Sequence, residues 1–232
     1  MITSRQNPAI KYYLKLKKKK YRDLENKFLV YGDHLVDAAL QRGNVDTIIT
    51  SNEHAGGLLV SPEIIAEFSQ TETVFDILAV CNKTSSPIES DKILILDDVQ
   101  DPDNVGALIR SASAFGFKHV IFSLKTADFY NEKTIRASQG AIFDVYHERL
   151  DLADKIKELK TLGYTIIGAE AHGLNQKIDK TEKIALILGN EGAGISQEVK
   201  RLVDHSVTIK VESVESLNVS VAGAILMYEW SK

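Results

Sequence analysis

Apolar and polar residues follow two periodicities along the chain, and their alternation predicts an α/β protein. Residues 93–96 are apolar throughout, which is typical of a parallel strand buried on both faces. The same reasoning predicts further strands at 119–122, 142–146, 164–168, 184–188 and 206–211, with helices near 104–115, 131–139, 152–162, 196–202 and 216–230. Strands and helices in turn predict a largely parallel sheet covered by helices.

The first third of the chain has a different arrangement of elements. A basic helix is followed by predicted strands at 28–31, 45–50 and 74–80, with helices at 33–42 and after Ser61-Pro62. Residues 82–91 are polar, include Pro87 and show no apolar period, so they predict a linker. We therefore expect two domains, at 1–85 and 91–232.

Composition narrows the class of protein. Apolar residues make up 44% of the 232, and no window approaches the roughly 18 apolar residues of a membrane-spanning helix. The N-terminus lacks an apolar signal region, and the single cysteine, Cys81, has no partner for an internal disulfide. These features predict a cytoplasmic protein without a membrane partner.

The net charge of −4 conceals a strong asymmetry. Residues 1–27 carry nine basic and two acidic side chains, a charge of +7, so the rest of the chain carries −11. Tyr12, Tyr13 and Tyr21 lie among these charges and could stack on bases. Such an arm can hold an RNA backbone, although a solvated helix would show the same pattern. The candidate RNA-binding residues are Arg5, Lys11, Lys17, Lys18, Lys19, Lys20 and Arg22.

Familiar ligand motifs are nearly absent. The glycine-rich segment 189–196 resembles a phosphate-binding loop, but Ile195 occupies the position of the required lysine. Four aspartates at 97–103 could hold magnesium or could cap a helix, and the scattered histidines indicate no zinc site, so we expect no metal. A glycine-rich loop without that lysine could hold an uncharged or zwitterionic adenosyl ligand.

Three segments together resemble the SpoU (TrmH-type) branch of the SPOUT RNA methyltransferases. They are residues 101–112 (DPDNVGALIRSA), 186–196 (LILGNEGAGIS) and 216–222 (SLNVSVA), in the order of the family's motifs. Residues 136–141 (RASQGA) resemble a further stretch between the first two. Residues 4–11 and 28–32 resemble the N-terminal substrate-binding domain of rRNA-directed members, so the resemblance covers nearly the whole chain.

The resemblance implies a fold and an activity. The implied fold is a SPOUT-type parallel sheet with a C-terminal deep trefoil knot, preceded by a small α/β domain similar to a ribosomal protein. It further implies a homodimer that binds S-adenosyl-L-methionine in the knot and methylates a ribose 2′-hydroxyl of RNA, with rRNA favoured over tRNA. A non-catalytic RNA-binding or ribosome-assembly protein on the same scaffold is the alternative in another class.

Residue roles follow from the matching motif positions. The resemblance implies that Arg110 holds a phosphate and stabilises the developing alkoxide, because a guanidinium is a poor base at neutral pH. The other implied catalytic residues are Asn104, Glu191, Ser216 and Asn218, and the implied cofactor-binding residues are Gly189, Asn190, Ile209 and Leu217. Lys210 stands where the family usually has proline, and we expect it near the cofactor.

Overall fold

The computed structural model describes residues 1–69, 75–84, 86–171 and 182–231. The chain divides into two compact units, and helices and strands are numbered along the whole chain. The first unit comprises Met1–Thr84 and Tyr130–Phe143, and the second comprises Ser85–Phe129 and Asp144–Lys232.

The first unit is a mixed four-stranded sheet with helices. Its strands lie in the order β1-β4-β2-β3, with β4 antiparallel to both neighbours and β3 parallel to β2. Ile10 and Leu16 of the N-terminal arm are fully buried in its core beside Phe68. The elements before the linker are α1 (Pro8–Lys15), α2 (Lys19–Glu25), β1 (Lys27–Tyr31), α3 (Asp33–Gln41), β2 (Val45–Thr50), β3 (Leu58–Leu59), α4 (Pro62–Ala66) and β4 (Ile77–Asn82).

The second unit is a six-stranded parallel sheet in the order β10-β8-β9-β5-β6-β7. Its strands are β5 (Lys92–Asp97), β6 (His119–Phe122), β7 (Tyr146–Arg149), β8 (Thr165–Ala169), β9 (Ile184–Gly189) and β10 (His205–Val207). Its helices are α5 (Pro102–Ala114), α7 (Leu152–Thr161), α8 (Gln197–Lys200) and α9 (Val219–Glu229). The predicted parallel sheet is thus confirmed, and every residue of β9 is buried.

The remaining helix, α6 (Glu132–Ser138), belongs to the first unit although its sequence lies within the second. Tyr130 and Phe143, on either side of α6, lie 4.5 and 6.2 Å from Phe28 between ring centroids. The domains predicted from the linker, 1–85 and 91–232, place residues 130–143 in the second domain, whereas they pack with the first unit. The cause is tertiary packing around an aromatic residue of β1, which no local pattern reveals.

Most predicted elements are present within one or two residues of the expected bounds, and three expectations were wrong. Residues 142–146 do not form a strand, because Ala141–Phe143 is a 3-10 turn and β7 begins at Tyr146. The last strand ends at Val207 and not at 211. The final helix begins at Val219, capped by the Asn218 side chain, and not at Ser216. The predicted strand at 74–80 starts on Val74, which lies outside the described residues, and β4 covers 77–82.

Within the described ranges, no helix is both long and apolar enough to cross a membrane.

Candidate active site

A cavity of about 690 Å³ opens at the carboxyl ends of three adjacent strands of the second unit. Its walls include Ala169 at the end of β8, Gly189 at the end of β9 and Val207 at the end of β10. Ligands of parallel α/β sheets bind at this edge. The segments 190–195 and 215–219 complete the walls, and both come from the motifs recognised in the sequence.

Gly189 is the point where the glycine-rich loop folds back on its own strand. The backbones of Asn190 and Gly194 pair through two hydrogen bonds of 3.0 Å. A Cβ at Gly189 would overlap the backbone of Gly194 and Ile195, so only glycine fits here. The loop thereby brings bare backbone to the cavity wall.

The Asn190 side chain fixes the shape of this loop. Its Oδ1 accepts hydrogen bonds from the backbone N–H groups of Gly192 and Ala193 at 3.0 and 2.9 Å. Its Nδ2 donates to the carbonyl oxygen of Asp98 at 2.9 Å. Because both ends of the amide are engaged, Asn190 contributes to the cavity by holding the loop in place.

A chain of side-chain hydrogen bonds joins the three motifs at the rim. Asn218 Nδ2 donates to Asn104 Oδ1 at 3.0 Å, and Asn104 Nδ2 donates to Glu191 Oε1 at 3.0 Å. The Glu191 carboxylate also accepts hydrogen bonds from the backbone N–H groups of Gln100 and Asp101, both at 3.2 Å. The Asn218 Oδ1 accepts from the Ser220 N–H at 2.8 Å and so caps α9.

This chain also affects the ionisation of Glu191. Partial desolvation opposes the charged form, but the hydrogen bonds from Asn104 and from the backbone outweigh it and hold the pKa of Glu191 below its ordinary value of 4.5. The rim therefore presents an ionised carboxylate at neutral pH.

The loop after β5 is braced from strand β7, which is separated from β5 by β6 in the sheet. The Arg149 guanidinium donates to the carbonyl oxygens of Ser123, Thr126 and Ala127 at 2.6–2.7 Å. The hydroxyls of Ser123 and Thr126 in turn accept from the N–H of Asp98, at 3.0 and 3.1 Å. Asp98 has a φ of 61°, so these contacts hold it in a left-handed conformation.

The predicted site residues fall into two groups. Gly189, Asn190, Ile209 and Leu217 line the cavity, as do Glu191, Ser216 and Asn218, while Asn104 adjoins it through the hydrogen-bonded chain. Arg110 lies on the exposed side of α5, is not part of the cavity wall and has no side-chain partner among the described residues. Lys210 is exposed and is not part of the wall, although its neighbour Ile209 is.

Glu170 and Lys200 also line the cavity, on the β8 side, and neither was predicted from the sequence. Their charged groups pair at 2.9 Å, and Ser206 Oγ donates to the same carboxylate at 3.0 Å. The predicted strand at 164–168 could have indicated this side of the cavity, because ligand sites are expected beyond the carboxyl ends of central strands.

The basic arm belongs to the first unit, where its side chains serve two purposes. Arg5, Lys11, Lys18, Lys19 and Lys20 are exposed. Lys17 is directed inward, because its Nζ donates to the carbonyl oxygens of Glu67 and Ser69 at 2.8 and 3.3 Å.

Arg22 departs from its expected RNA-binding role. Its side chain is buried, with 7% of the residue exposed. The guanidinium donates to the carbonyl oxygens of Leu16 and Lys17 at 3.2 and 2.9 Å. Arg22 therefore satisfies backbone carbonyl groups between α1 and α2.

The aspartates considered as magnesium ligands have structural partners. Asp97 is buried and accepts the Ser196 N–H at 2.8 Å, while Asp101 caps α5 through the Asp103 N–H at 3.0 Å. Across the described part of the chain, no three His, Cys, Asp or Glu side chains are grouped as a metal site would require.

Comparison with known proteins agrees with this geometry. Residues 91–228 match the model of the SpoU rRNA Methylase family, and residues 7–87 match the MRM3-like substrate binding domain. The chain belongs to the SpoU rRNA methylase family. The SpoU match covers the cavity and all three motifs, and the second match covers most of the first unit.

Relatives of this SpoU-family protein match it over nearly its full length. The Bacillus subtilis 23S rRNA (guanosine(2553)-2′-O)-methyltransferase RlmP is 36% identical over 98% of this chain and 97% of its own. The AdoMet-bound rRNA methyltransferase from Sinorhizobium meliloti has a TM-score of 0.86 at 27% identity, covering 99% of this chain and 96% of its own. AviRb of Streptomyces viridochromogenes, a SpoU methyltransferase in complex with AdoMet, has a TM-score of 0.85 at 25% identity, with 97% of each chain covered.

Proposed function

We propose that the protein methylates the 2′-hydroxyl of a ribose in ribosomal RNA, with S-adenosyl-L-methionine as the methyl donor. The observation that carries the proposal is the hydrogen-bonded chain of Glu191, Asn104 and Asn218 at the rim of the cavity. It unites the three SpoU motifs in one place, and the family match and the rRNA-directed relatives support the choice of substrate.

The cavity suits the proposed cofactor. Gly189 lies in the wall and lets the backbone of Gly194 and Ile195 close over it, and Leu188, Ile209 and Leu217 offer apolar contacts. Gly189, Asn190, Ile209 and Leu217 would hold the cofactor, which supplies a methyl group on a sulfonium centre. The volume of about 690 Å³ lies within the usual range for small-molecule sites.

The residues at the rim would act on the RNA. Methyl transfer is an in-line displacement in which the 2′-oxygen attacks the methyl carbon as the carbon–sulfur bond breaks, so alignment lowers the barrier. Ser216 and Asn218 would hydrogen-bond near the reacting ribose, and Glu191 would face the substrate. Arg110 lies outside the cavity wall and has no described partner, so its guanidinium is available to hold the adjacent phosphate and stabilise the alkoxide.

A methyl-transfer assay with labelled S-adenosylmethionine and unmodified rRNA tests the proposal. We expect incorporation by the native protein and a loss of about a hundredfold or more in Arg110→Ala, with cofactor affinity unchanged by calorimetry. Arg201→Ala is the matched control, because Arg201 is also exposed and outside the cavity wall. Native turnover in Arg110→Ala would remove Arg110 from the mechanism, and transfer to tRNA alone would contradict the rRNA assignment.

We further propose a homodimer, a trefoil-knotted C-terminal half and a cytoplasmic location, all following from the family and the rRNA substrate. A chemical argument supports the dimer. Val221, Ile225 and Tyr228 share one face of α9 and are 48%, 40% and 49% exposed. A stripe of large apolar side chains at this spacing is typical of a helix that packs against a partner.

A further inference from the structure

A second depression, about 390 Å³ in volume, lies between α1 and α2 in the first unit. We call it the α1–α2 groove. Four basic side chains line it, together with the ring of Tyr21 and the amide of Gln6; they are Arg5, Lys11, Lys15 and Lys18. Lys15 and Gln6 were not among the expected RNA-binding residues, whereas Tyr21 is one of the three tyrosines of the arm expected to stack on bases.

The groove is strongly positive because no carboxylate lines it. Arg5 pairs with Glu67 at 2.9 Å, yet its side chain remains 68% exposed. The ammonium groups of Lys11 and Lys18 have no ion pair or hydrogen bond among the residues that the structure describes. Like charges held in one depression repel each other, and a bound polyanion relieves that repulsion.

Tyr21 gives the groove a second kind of contact. Its ring is partly exposed, and Lys15 Nζ lies 5.7 Å from its centroid. A planar ring beside ammonium groups combines the two features that bind single-stranded nucleic acid, a stacking surface for a base and cations for its phosphates.

The adjoining lysine run does not share this arrangement. Lys17 is engaged with backbone carbonyls, and Lys19 pairs with Asp23 at 2.5 Å and is outside the groove lining. The lysines that line the groove are therefore candidates for ligand contacts, whereas Lys17 and Lys19 already have partners within the protein.

We propose that the α1–α2 groove binds a nucleotide of a single-stranded RNA segment, with its base stacked on Tyr21 and its phosphates held by Lys11, Lys15 and Lys18. The choice of RNA as the source of that nucleotide rests on the proposed function. Paired bases in a duplex are not available for stacking, so the groove selects unpaired RNA.

Binding of a fluorescent single-stranded ten-nucleotide RNA by the full-length protein, followed by anisotropy at several salt concentrations, tests the proposal. We expect Tyr21→Ala to bind about tenfold more weakly and Tyr21→Phe to bind like the native protein, because phenylalanine keeps the stacking face. Lys15→Ala/Lys18→Ala should lower the slope of log affinity against log salt by about 1.4, at about 0.7 for each phosphate that the variant no longer holds.

The control variant is Lys125→Ala/Lys133→Ala, which removes the same charge from two exposed lysines that lie outside the groove and outside the basic arm. An equal change of slope in both double variants would overturn the groove as the site, and equal binding by Tyr21→Ala and Tyr21→Phe would overturn the stacking contact. Competition by millimolar inorganic phosphate as effective as that by single-stranded RNA, or equal affinity for a duplex, would also overturn the proposal.

The two proposals fail separately. If native protein transfers methyl groups to rRNA while the groove variants bind single-stranded RNA normally, only the groove assignment fails. If the groove variants lose RNA binding but native protein transfers no methyl group, the groove stands and the methyltransferase assignment fails.

Discussion

At the scale of single residues, the Asn104 amide is used at both ends. Its oxygen accepts from Asn218 and its nitrogen donates to Glu191, each at 3.0 Å. Asparagine suits this position because it offers a donor and an acceptor on one planar group. Replacing it with aspartate would leave the Glu191 carboxylate facing a second negative charge, so the residue type follows from its two neighbours.

The hydrogen bonds to Glu191 predict a pH-dependent contribution to stability. A carboxyl group whose pKa is lower in the folded state stabilises the protein above its unfolded pKa, and this contribution is lost as the pH falls through the folded value. The pKa of Glu191 is lowered from 4.5, so the loss begins below about pH 4.5. Glu191→Gln should therefore lose less stability than the native protein between pH 6 and pH 3.5 in urea unfolding.

Glu198→Gln is the control, because Glu198 is an exposed glutamate of the same unit outside the hydrogen-bonded chain. A pH dependence in Glu191→Gln as steep as that of the native protein would show that Glu191 is not stabilised as an anion.

The residues of the site could be found from the sequence, but their connections could not. Resemblance to the family motifs gave Asn104, Glu191 and Asn218 individually. The hydrogen bonds between them span 87 and 114 residues of sequence, a separation at which local patterns carry no information. Arg22 and Lys17 were expected to be exposed, but both donate to backbone carbonyl groups. A run of basic residues predicts exposed charge and cannot reveal which of its members bind carbonyl groups.

At the scale of secondary structure elements, α9 is positioned by its close approach to α5 and β9. Gly223 faces Leu108 of α5 and Leu188 of β9, both fully or almost fully buried. A Cβ at Gly223 would overlap Leu108 Cδ2 and lie 2.6 Å from Leu188 Cδ1. Because Asn218 at the start of α9 contributes to the rim, the fit at Gly223 also sets the position of the rim.

Gly223→Ala should therefore destabilise the protein by about 1–3 kcal/mol through overpacking. Gly192→Ala is the matched control, since a Cβ there meets only Asn190 Oδ1 at 3.8 Å. The free energy of unfolding in urea checks the prediction. An equal effect of the two substitutions would contradict the close packing of α9 on α5.

The sequence predicted the elements whose apolar pattern is set by burial on both faces. Strands β5, β6 and β9 are such cases, and their predicted bounds differ from the observed ones by at most one residue at each end. Strand β7 was misplaced because it is the outer strand of its sheet and its sequence, YHER, is partly buried throughout. The strand was predicted too early because residues 142–143 are apolar, but these residues belong to the first unit and pack there.

At the scale of the whole molecule, the exposed apolar face of α9 predicts an assembly of two chains. Ile225→Asp places a charge in the middle of that face and should convert the proposed dimer into monomers. Leu162→Asp is the control, because Leu162 is 53% exposed and lies outside α9. Sedimentation or light scattering should give twice 25.7 kDa for the native protein and for the control. A native monomer, or a dimer that survives Ile225→Asp, would contradict the assignment of this face.

The net charge of the whole chain hides a basic segment in the first unit. The net charge of −4 argues against an RNA-binding protein when taken alone, but the +7 of residues 1–27 lies within the first unit. The family models divide the chain in a similar way, into a substrate binding domain and a methylase. We propose that the first unit recruits RNA and that the second transfers the methyl group.

The proposed activity of this protein is methylation of a ribose of ribosomal RNA. The most direct test is to compare alkali-resistant ribose positions in rRNA from a strain lacking the protein with those of its parent. We predict that one 2′-O-methylated position disappears and returns when the native gene is restored, but not when Arg110→Ala is supplied. An identical set of methylated riboses in both strains would contradict the account.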